Sequence, residues 1–268
     1  MNKVQVMGIL NVTPDSFSDG GKFIGEQAVT EQVQTMLADG VDIIDIGGES
    51  TRPFAESVTE QEELDRVIPA IQAVRVLSSA IPISIDTAKA KVAVAALEQG
   101  ATLINDISAL RQDADMIRVA RDCDVPIIIM HMQGTPEDMQ LAPQYEDVVA
   151  EICVFFRERT RWMESQGIAE QRIILDPGIG FGKTLNHNLA ILRNIAAFKQ
   201  LGFPVLIGHS RKSFLEKLLG TPVAQRDCPT AIISALCTQQ GADILRVHDV
   251  AKTVAAVRLA KEIAQVPA

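Results

Sequence analysis

The sequence predicts an α/β fold: a single closed barrel of eight parallel strands alternating with helices. Three observations carry that prediction. Eight short, continuously apolar runs recur at even spacing, as strands buried on both faces should. Before five of them a helical stretch ends in a glycine two to five residues ahead of the run. Polar and charged residues collect where the runs end, the face on which barrels of this kind carry their sites. An open doubly wound sheet is the alternative, but it rarely needs eight such regular units.

In chain order the runs fall at 4–10, 42–46, 82–86, 102–107, 126–130, 172–176, 204–208 and 244–247. Gly40, Gly100 and Gly241 open visibly similar segments, typified by Gly40-Val41-Asp42-Ile43-Ile44-Asp45, and Gly167 and Gly202 hold the same place before two other runs. Each suits the left-handed position that ends a helix. The intervening stretches carry helical periodicity. Thr59 and Glu62 form a capping box ahead of Leu64, Val67, Ile68 and Ile71. The first two strand-to-helix loops, about 11–25 and 47–59, are long, which on this face marks lids or binding loops. With no linker or low-complexity tract in view, we expect one domain over 1–268.

Composition narrows the function. Hydrophobic residues make up 47% of 268, enough for a full core, yet no apolar run approaches membrane-spanning length. Met1-Asn2-Lys3-Val4 leads straight into the first run, so no signal peptide is expected. Cys123, Cys153, Cys228 and Cys237 have neither C-x-x-C pairing nor a histidine at zinc spacing. They read as reduced thiols of a cytoplasmic protein. A net charge of −9 argues against nucleic acid, so any anionic ligand must be held by a local basic cluster.

The stretch with most chemical content is Ile173-Ile174-Leu175-Asp176-Pro177-Gly178-Ile179-Gly180-Phe181-Gly182-Lys183. A buried strand delivers Asp176 to its tip, Pro177 stops the ladder, and three glycines allow a close ligand approach. The Walker phosphate signature would need a glycine at Pro177, and the dinucleotide signature fails at Lys183. Asp86, Asn105 and Asp176 lie at three separate strand tips, where they offer acceptors for a flat heterocycle with adjacent N–H groups. The competing reading has them capping the following helices. Arg52, Arg211, Lys212, Arg246 and His248 form a basic group at other tips, either an anion site or solvated loop charge, with Arg211 its weakest member. Lys183 stays open between ligand contact and surface charge. His131, His187 and His209 lack ligand spacing and read as structural. A Ser nucleophile at Ser210 is excluded because G-x-S-x-G would need glycine at Lys212.

With these residues in hand, the chain resembles the dihydropteroate synthase family over nearly its whole length. The resemblance rests on Met7 to Gly21 (Met7-Gly8-Ile9-Leu10-Asn11-Val12-Thr13-Pro14-Asp15-Ser16-Phe17 onward), Asp45-Ile46-Gly47-Gly48-Glu49-Ser50-Thr51-Arg52-Pro53, Ser84-Ile85-Asp86-Thr87 and Asn105-Asp106-Ile107-Ser108. It continues through Met130-His131-Met132, the Asp176–Lys183 stretch, Gly208-His209-Ser210-Arg211-Lys212-Ser213 and Arg246-Val247-His248-Asp249-Val250. It implies a TIM barrel, acting as a homodimer, that joins 4-aminobenzoate to 6-hydroxymethyl-7,8-dihydropterin diphosphate. It also implies pterin contacts from Asp86, Asn105, Asp176 and Lys212, with Met130 and Arg246 on the pterin faces and Phe181 among the substrate-binding residues. Asn11 (through Mg²⁺), Arg52, Arg246 and His248 receive the diphosphate. Thr51, Pro53, Ser210, Lys212 and Phe17 frame the aminobenzoate, and Asp86, Asp176, Lys212 and Arg246 carry the catalysis. Phe54 departs from the glycine common in relatives. The long first loop and the basic group speak against a corrinoid methyltransferase subunit and against a non-catalytic pterin-binding scaffold.

Overall fold

The computed structural model describes residues 3–13, 22–50, 57–135, 139 and 141–266, apart from the side chains of 22–24. Its eight strands are β1 Gln5–Asn11, β2 Ile43–Gly47, β3 Ile83–Asp86, β4 Leu103–Asp106, β5 Ile127–Met130, β6 Ile173–Asp176, β7 Leu206–Ile207 and β8 Ile244–Val247. They pair in the order β6-β5-β4-β3-β2-β1-β8-β7, every named pair parallel. A parallel bridge from Leu175 to Val205, with Leu175 N–H donating to Pro204 O at 2.9 Å, joins the two ends into a TIM barrel.

Among the described residues, ten α-helices cover the outside. They are α1 Lys22–Ala38, α2 Glu60–Leu77, α3 Ala90–Glu98, α4 Met116–Asp122, α5 Val148–Ser165, α6 Leu185–Arg193, α7 Ile195–Lys199, α8 Ser213–Leu219, α9 Asp227–Gln239 and α10 Val250–Gln265. The start of α2 is the capping box read from sequence: Thr59 Oγ1 accepts from Glu62 N–H, and Glu62 Oε2 accepts from Thr59 N–H at 2.9 Å. Val67 and Ile71 are fully buried on its inner stripe. The five helix-ending glycines all have φ between 83° and 105°.

Side-chain alternation along the strands separates two cores. Outward positions such as Leu10, Ile44, Ile46, Ile83, Ile85, Ile104, Ile127 and Leu245 pack against the helices. Inward positions form a separate cluster of Met7, Ile43, Leu103, Ile128, Ile174, Leu206 and Ile244, one from each strand but β3. There the inward residue is the buried Ser84. This apolar layer fills the lower barrel. Two residues further along the strands, the inward layer becomes polar.

The loops over the strands' C-terminal ends differ in length. Residues 12–21 separate β1 from α1 and residues 48–59 separate β2 from α2; most of the two expected long loops, 14–21 and 51–56, lies outside the described residues. The connection after β5, residues 131–147, is longer than either, a feature that the spacing of apolar runs does not single out. It is partly self-tied, since the Gln133 side chain makes two hydrogen bonds to the Gln144 backbone, at 2.9 and 3.0 Å.

Candidate active site

The polar layer is set by strand register. Asp86 of β3 lies beside Asn105 of β4, Met130 of β5 beside Asp176 of β6, and Gly47 of β2 beside both Asn11 of β1 and Asp86. Arg246 enters the same layer from β8, its side chain 18% exposed. It spans the barrel. Nε donates to Asp45 Oδ2 at 2.6 Å and Nη2 to Asp86 Oδ2 at 2.5 Å. Asn105 Nδ2 faces both oxygens of Asp45 at 3.4 Å. Asp45 is fully buried and joins three strands, yet reading the strand tips passes over it. A charged residue inside Ile43-Ile44-Asp45-Ile46, two positions before the strand end, is the sequence signal that would have found it.

The capping alternative fails for Asp86 and Asn105, whose side chains are engaged across the barrel. It fails for Asp176 too, since Thr184 caps α6; Asp176 Oδ1 instead accepts from Gly178 N–H at 2.8 Å inside the loop. That leaves Oδ2 toward the pocket, where a Cβ added to Gly208 would stand 3.6 Å from it and 3.9 Å from Arg246 Cδ. Two of the three loop glycines serve a different purpose from the ligand approach expected. At Gly178, with φ 70°, a Cβ would lie 2.0 Å from His131 O, and at Gly182, with φ 61°, 2.5 Å from Gln133 O. They let the β6–α6 loop lie against the loop after β5. Gly180 faces Lys212, its added Cβ being 3.2 Å from Lys212 Cδ.

Lys183 is no surface charge. Only 2% exposed, its ammonium donates to Phe181 O at 2.8 Å and lies 3.1 Å from His131 Nδ1 and 3.3 Å from His131 O. Burial lowers it to about 7, against the upward pull of Asp176. His131 is pushed down to about 3 by burial and then by Lys183, so its ring is a neutral acceptor. Tyr145 completes the joint, its hydroxyl donating to Gly182 O at 3.0 Å.

His131 and His209 fulfil the structural reading: His209 is fully buried, with Nε2 3.0 Å from both Thr230 O and Ser234 Oγ. His187 closes a capping box with Thr184 at the start of α6. A pH effect follows for His131. Its folded value of about 3 lies below the ordinary 6.5, so the unfolded chain takes up the proton first as pH falls. Stability from this site is present above 6.5 and lost as pH drops toward 3. Relative to His131→Gln, the parent should lose roughly 1.4 kcal/mol per pH unit within that window. Urea unfolding of both proteins at pH 7 and pH 5 checks this, and an unchanged difference would contradict it.

Four groups carry the electrostatics of the pocket. Burial raises Asp86 to about 7, opposed by Arg246 and reinforced by Asp45. Asp176 is raised chiefly by burial, against the Gly178 N–H and Lys212. Burial, then Arg246, lowers Lys212 to about 8, and Asp176 and Asp86 resist. Burial also lowers Arg246, but Asp45 and Asp86 outweigh it and keep the guanidinium charged. Lys212 Nζ sits 4.1 Å from the centroid of the Phe181 ring, and Phe181 clusters with Met130, Met132 and Met139 to form an apolar wall.

Beside this wall lies the second constellation. Ser210 Oγ accepts from His248 N–H at 3.1 Å and stands 2.9 Å from His248 Nδ1. The Oγ–Nδ1 contact is a hydrogen bond in either imidazole tautomer, because a serine hydroxyl can both donate and accept. Burial, then Arg211, Arg246 and Lys212, lowers His248 to about 3. Arg211 is committed elsewhere, forked onto Asp227 at 2.6 and 2.8 Å. Asn11 Oδ1 reaches the rim, 3.7 Å from where a Gly47 Cβ would be. Phe17, Thr51, Arg52, Pro53 and Phe54 lie outside the described residues.

A parallel barrel whose mouth combines acceptors from β3, β4 and β6 with cations from the β7 end and β8 has the make-up of an enzyme site suited to a polar heterocycle beside an anion. Residues 7–248 match the model of the pterin binding enzyme family. The dihydropteroate synthase of Haemophilus influenzae is 49% identical over 249 residues, covering 93% of this chain and 90% of that protein. A Xanthomonas albilineans dihydropteroate synthase solved with 4-aminobenzoic acid superposes with TM-score 0.93 at 43% identity, covering 99% of this chain and 95% of the other. The same enzyme in complex with 7,8-dihydropteroate gives TM-score 0.89 at 41% identity and the same coverage. The chain belongs to the dihydropteroate synthase family of pterin-binding enzymes.

Proposed function

We propose that this chain condenses 6-hydroxymethyl-7,8-dihydropterin diphosphate with 4-aminobenzoate, releasing diphosphate and forming 7,8-dihydropteroate. The observation that carries the reading is the acceptor set of buried Asn105 and Asp176 with part-buried Asp86, facing Lys212 and Arg246 at the barrel mouth. The test is to incubate the protein with both substrates and Mg²⁺ and to look for dihydropteroate and diphosphate. Absence of both products would end the proposal.

In this reading Asp176 Oδ2 and the free oxygen of Asp86 accept pterin N–H groups, and Asn105 presents its amide alongside. The Met130–Phe181 wall and the Arg246 guanidinium enclose the ring faces, and Lys212 lies over Phe181 at the pterin edge. An aromatic amine is uncharged near pH 7, so its lone pair needs no strong base, in keeping with the neutral His248. The demand falls on the leaving group, where Arg246 and His248 meet developing negative charge with fixed donors. Asp86 and Asp176 also stabilise any positive charge that builds on the pterin methylene.

Asn11 offers a single neutral oxygen at the rim, which suits Mg²⁺ brought by substrate phosphates and keeping most of its waters. When bound, the ion neutralises charge on the departing diphosphate. His248→Ala should leave the affinity for the free pterin alcohol within about twofold and slow turnover of the diphosphate ester on the order of 100-fold. Calorimetry with the alcohol and a turnover assay separate the two, and equal losses would place His248 in the pterin pocket or the fold instead.

We further propose a homodimer. Ile232 and Leu236 on α9, and Leu259 and Ile263 on α10, are each more than half exposed on neighbouring helices, an apolar stripe suited to a two-fold contact. Ile232→Glu with Ile263→Glu should convert the protein to monomer in sedimentation equilibrium, and an unchanged mass would place the contact elsewhere. A cytoplasmic location fits the four free cysteines. No described helix is long and apolar enough to cross a membrane.

A further inference from the structure

We infer that Asp45 is the positioning residue of the site, limiting the Arg246 guanidinium to one oxygen of Asp86 and holding it off Asp176. The inference rests on the pterin reading above. Asp45 lies at the centre of the layer, fully buried, with Arg246 Nε at 2.6 Å and Asn105 Nδ2 at 3.4 Å. No ligand is needed to explain its charge, because both neighbours are donors on other strands.

The geometry gives Arg246 three edges with separate duties. Nε is taken by Asp45, Nη2 by Asp86 Oδ2, and Nη1 makes no hydrogen bond among the described residues. The Arg246 stem also passes close to Asp176, since the two side chains flank the space in front of Gly208 at 3.9 and 3.6 Å from its added Cβ. A guanidinium freed from Asp45 can therefore fork onto Asp86, which it already touches through one donor, or turn to Asp176. A fork on either one satisfies it bidentately and removes acceptors that the pterin N–H groups require. With Nε pinned, that collapse is blocked. Asp45 also takes a donor of Asn105, which turns the amide oxygen of Asn105 away from Asp45 and leaves it as an acceptor.

The test uses the full chain and 6-hydroxymethylpterin as the probe, followed by calorimetry, with thermal unfolding as the fold control. Binding to the parent protein is the first arm, and its failure there would count against the pterin reading rather than against this inference. Asp45→Asn should weaken the probe at least 10-fold. The second variant, Asp45→Asn with Arg246→Ala, removes the misplaced cation and should bind the probe more tightly than Asp45→Asn alone, recovering at least threefold. A purely structural role would not be relieved by deleting a second side chain from the same layer. Unchanged affinity in Asp45→Asn, or a double variant no better than the single, would overturn the inference. Where Asp45→Asn alone does not fold, the charge-balanced double variant decides: probe affinity within 10-fold of the parent upholds the inference, and a folded protein that does not bind refutes it.

Discussion

Asp176→Asn should bind a pterin fragment on the order of 100-fold more weakly than the parent, a loss of about 3 kcal/mol. The reason lies in the half of the carboxylate that is already committed. Oδ1 accepts from Gly178 N–H, so an asparagine must keep its carbonyl oxygen on that side to avoid setting donor against donor. Its NH₂ group then occupies the position of Oδ2 and points at the pterin's own N–H groups. Rotating the amide by 180° relieves the ligand but breaks the turn that opens the β6–α6 loop. Either way one buried polar contact is lost. The fold should persist, with the thermal midpoint within about 4 °C of the parent, because the side chain supports no helix or strand pairing. Calorimetry with the fragment decides the matter, and undiminished affinity would remove Asp176 from the pocket.

Arg246→Ala should cost both stability and turnover. It leaves Asp45 fully buried and Asp86 nearly so, each without its cation. Breaking a buried pair by removing one partner costs about 3–5 kcal/mol, which for a chain of this size lowers the thermal midpoint by roughly 6–20 °C. Turnover should fall at least on the order of 100-fold, since a fixed donor to the leaving group is gone. Adding Asp45→Asn should return much of the stability by removing one orphaned charge, yet leave turnover low. Differential scanning calorimetry and a product assay on the same three proteins report the two effects separately. A destabilisation that Asp45→Asn does not relieve would mean that Arg246 contributes through packing instead of charge.

How much of this was legible follows from how far each signal travels along the chain. The strand ends were readable because burial on both faces writes itself as a local apolar run, and the observed strands begin and end within two residues of those runs. Helix ends were readable because a left-handed residue at that position calls for glycine. Asp86, Asn105 and Asp176 stood out as polar groups at strand tips. Asp45 did not, because its partners Asn105 and Arg246 are 60 and 201 residues away and no local pattern records such a pairing. Lys183 could not be placed from sequence either: a lysine after a glycine loop suits ligand and solvent alike until the carbonyls of Phe181 and His131 are seen to take its ammonium. The long connection after β5 carries few apolar residues, so nothing in its spacing announced that Met139 would be buried against Met130 and Phe181.

The seven apolar side chains that fill the lower barrel have a consequence for traffic. With Met7, Ile43, Leu103, Ile128, Ile174, Leu206 and Ile244 all buried there, the barrel among the described residues has a closed floor. Whatever reaches Asp176 and Asn105 must pass the rim where Asn11, Ser210 and His248 stand. Two molecules that share such a shaft form a queue: the deeper one enters first, and the shallower one seals it in. On the proposed reading the pterin is the deeper occupant and the aminobenzoate the shallower. The joined product then departs through the opening by which both arrived, with its pterin end the last to leave.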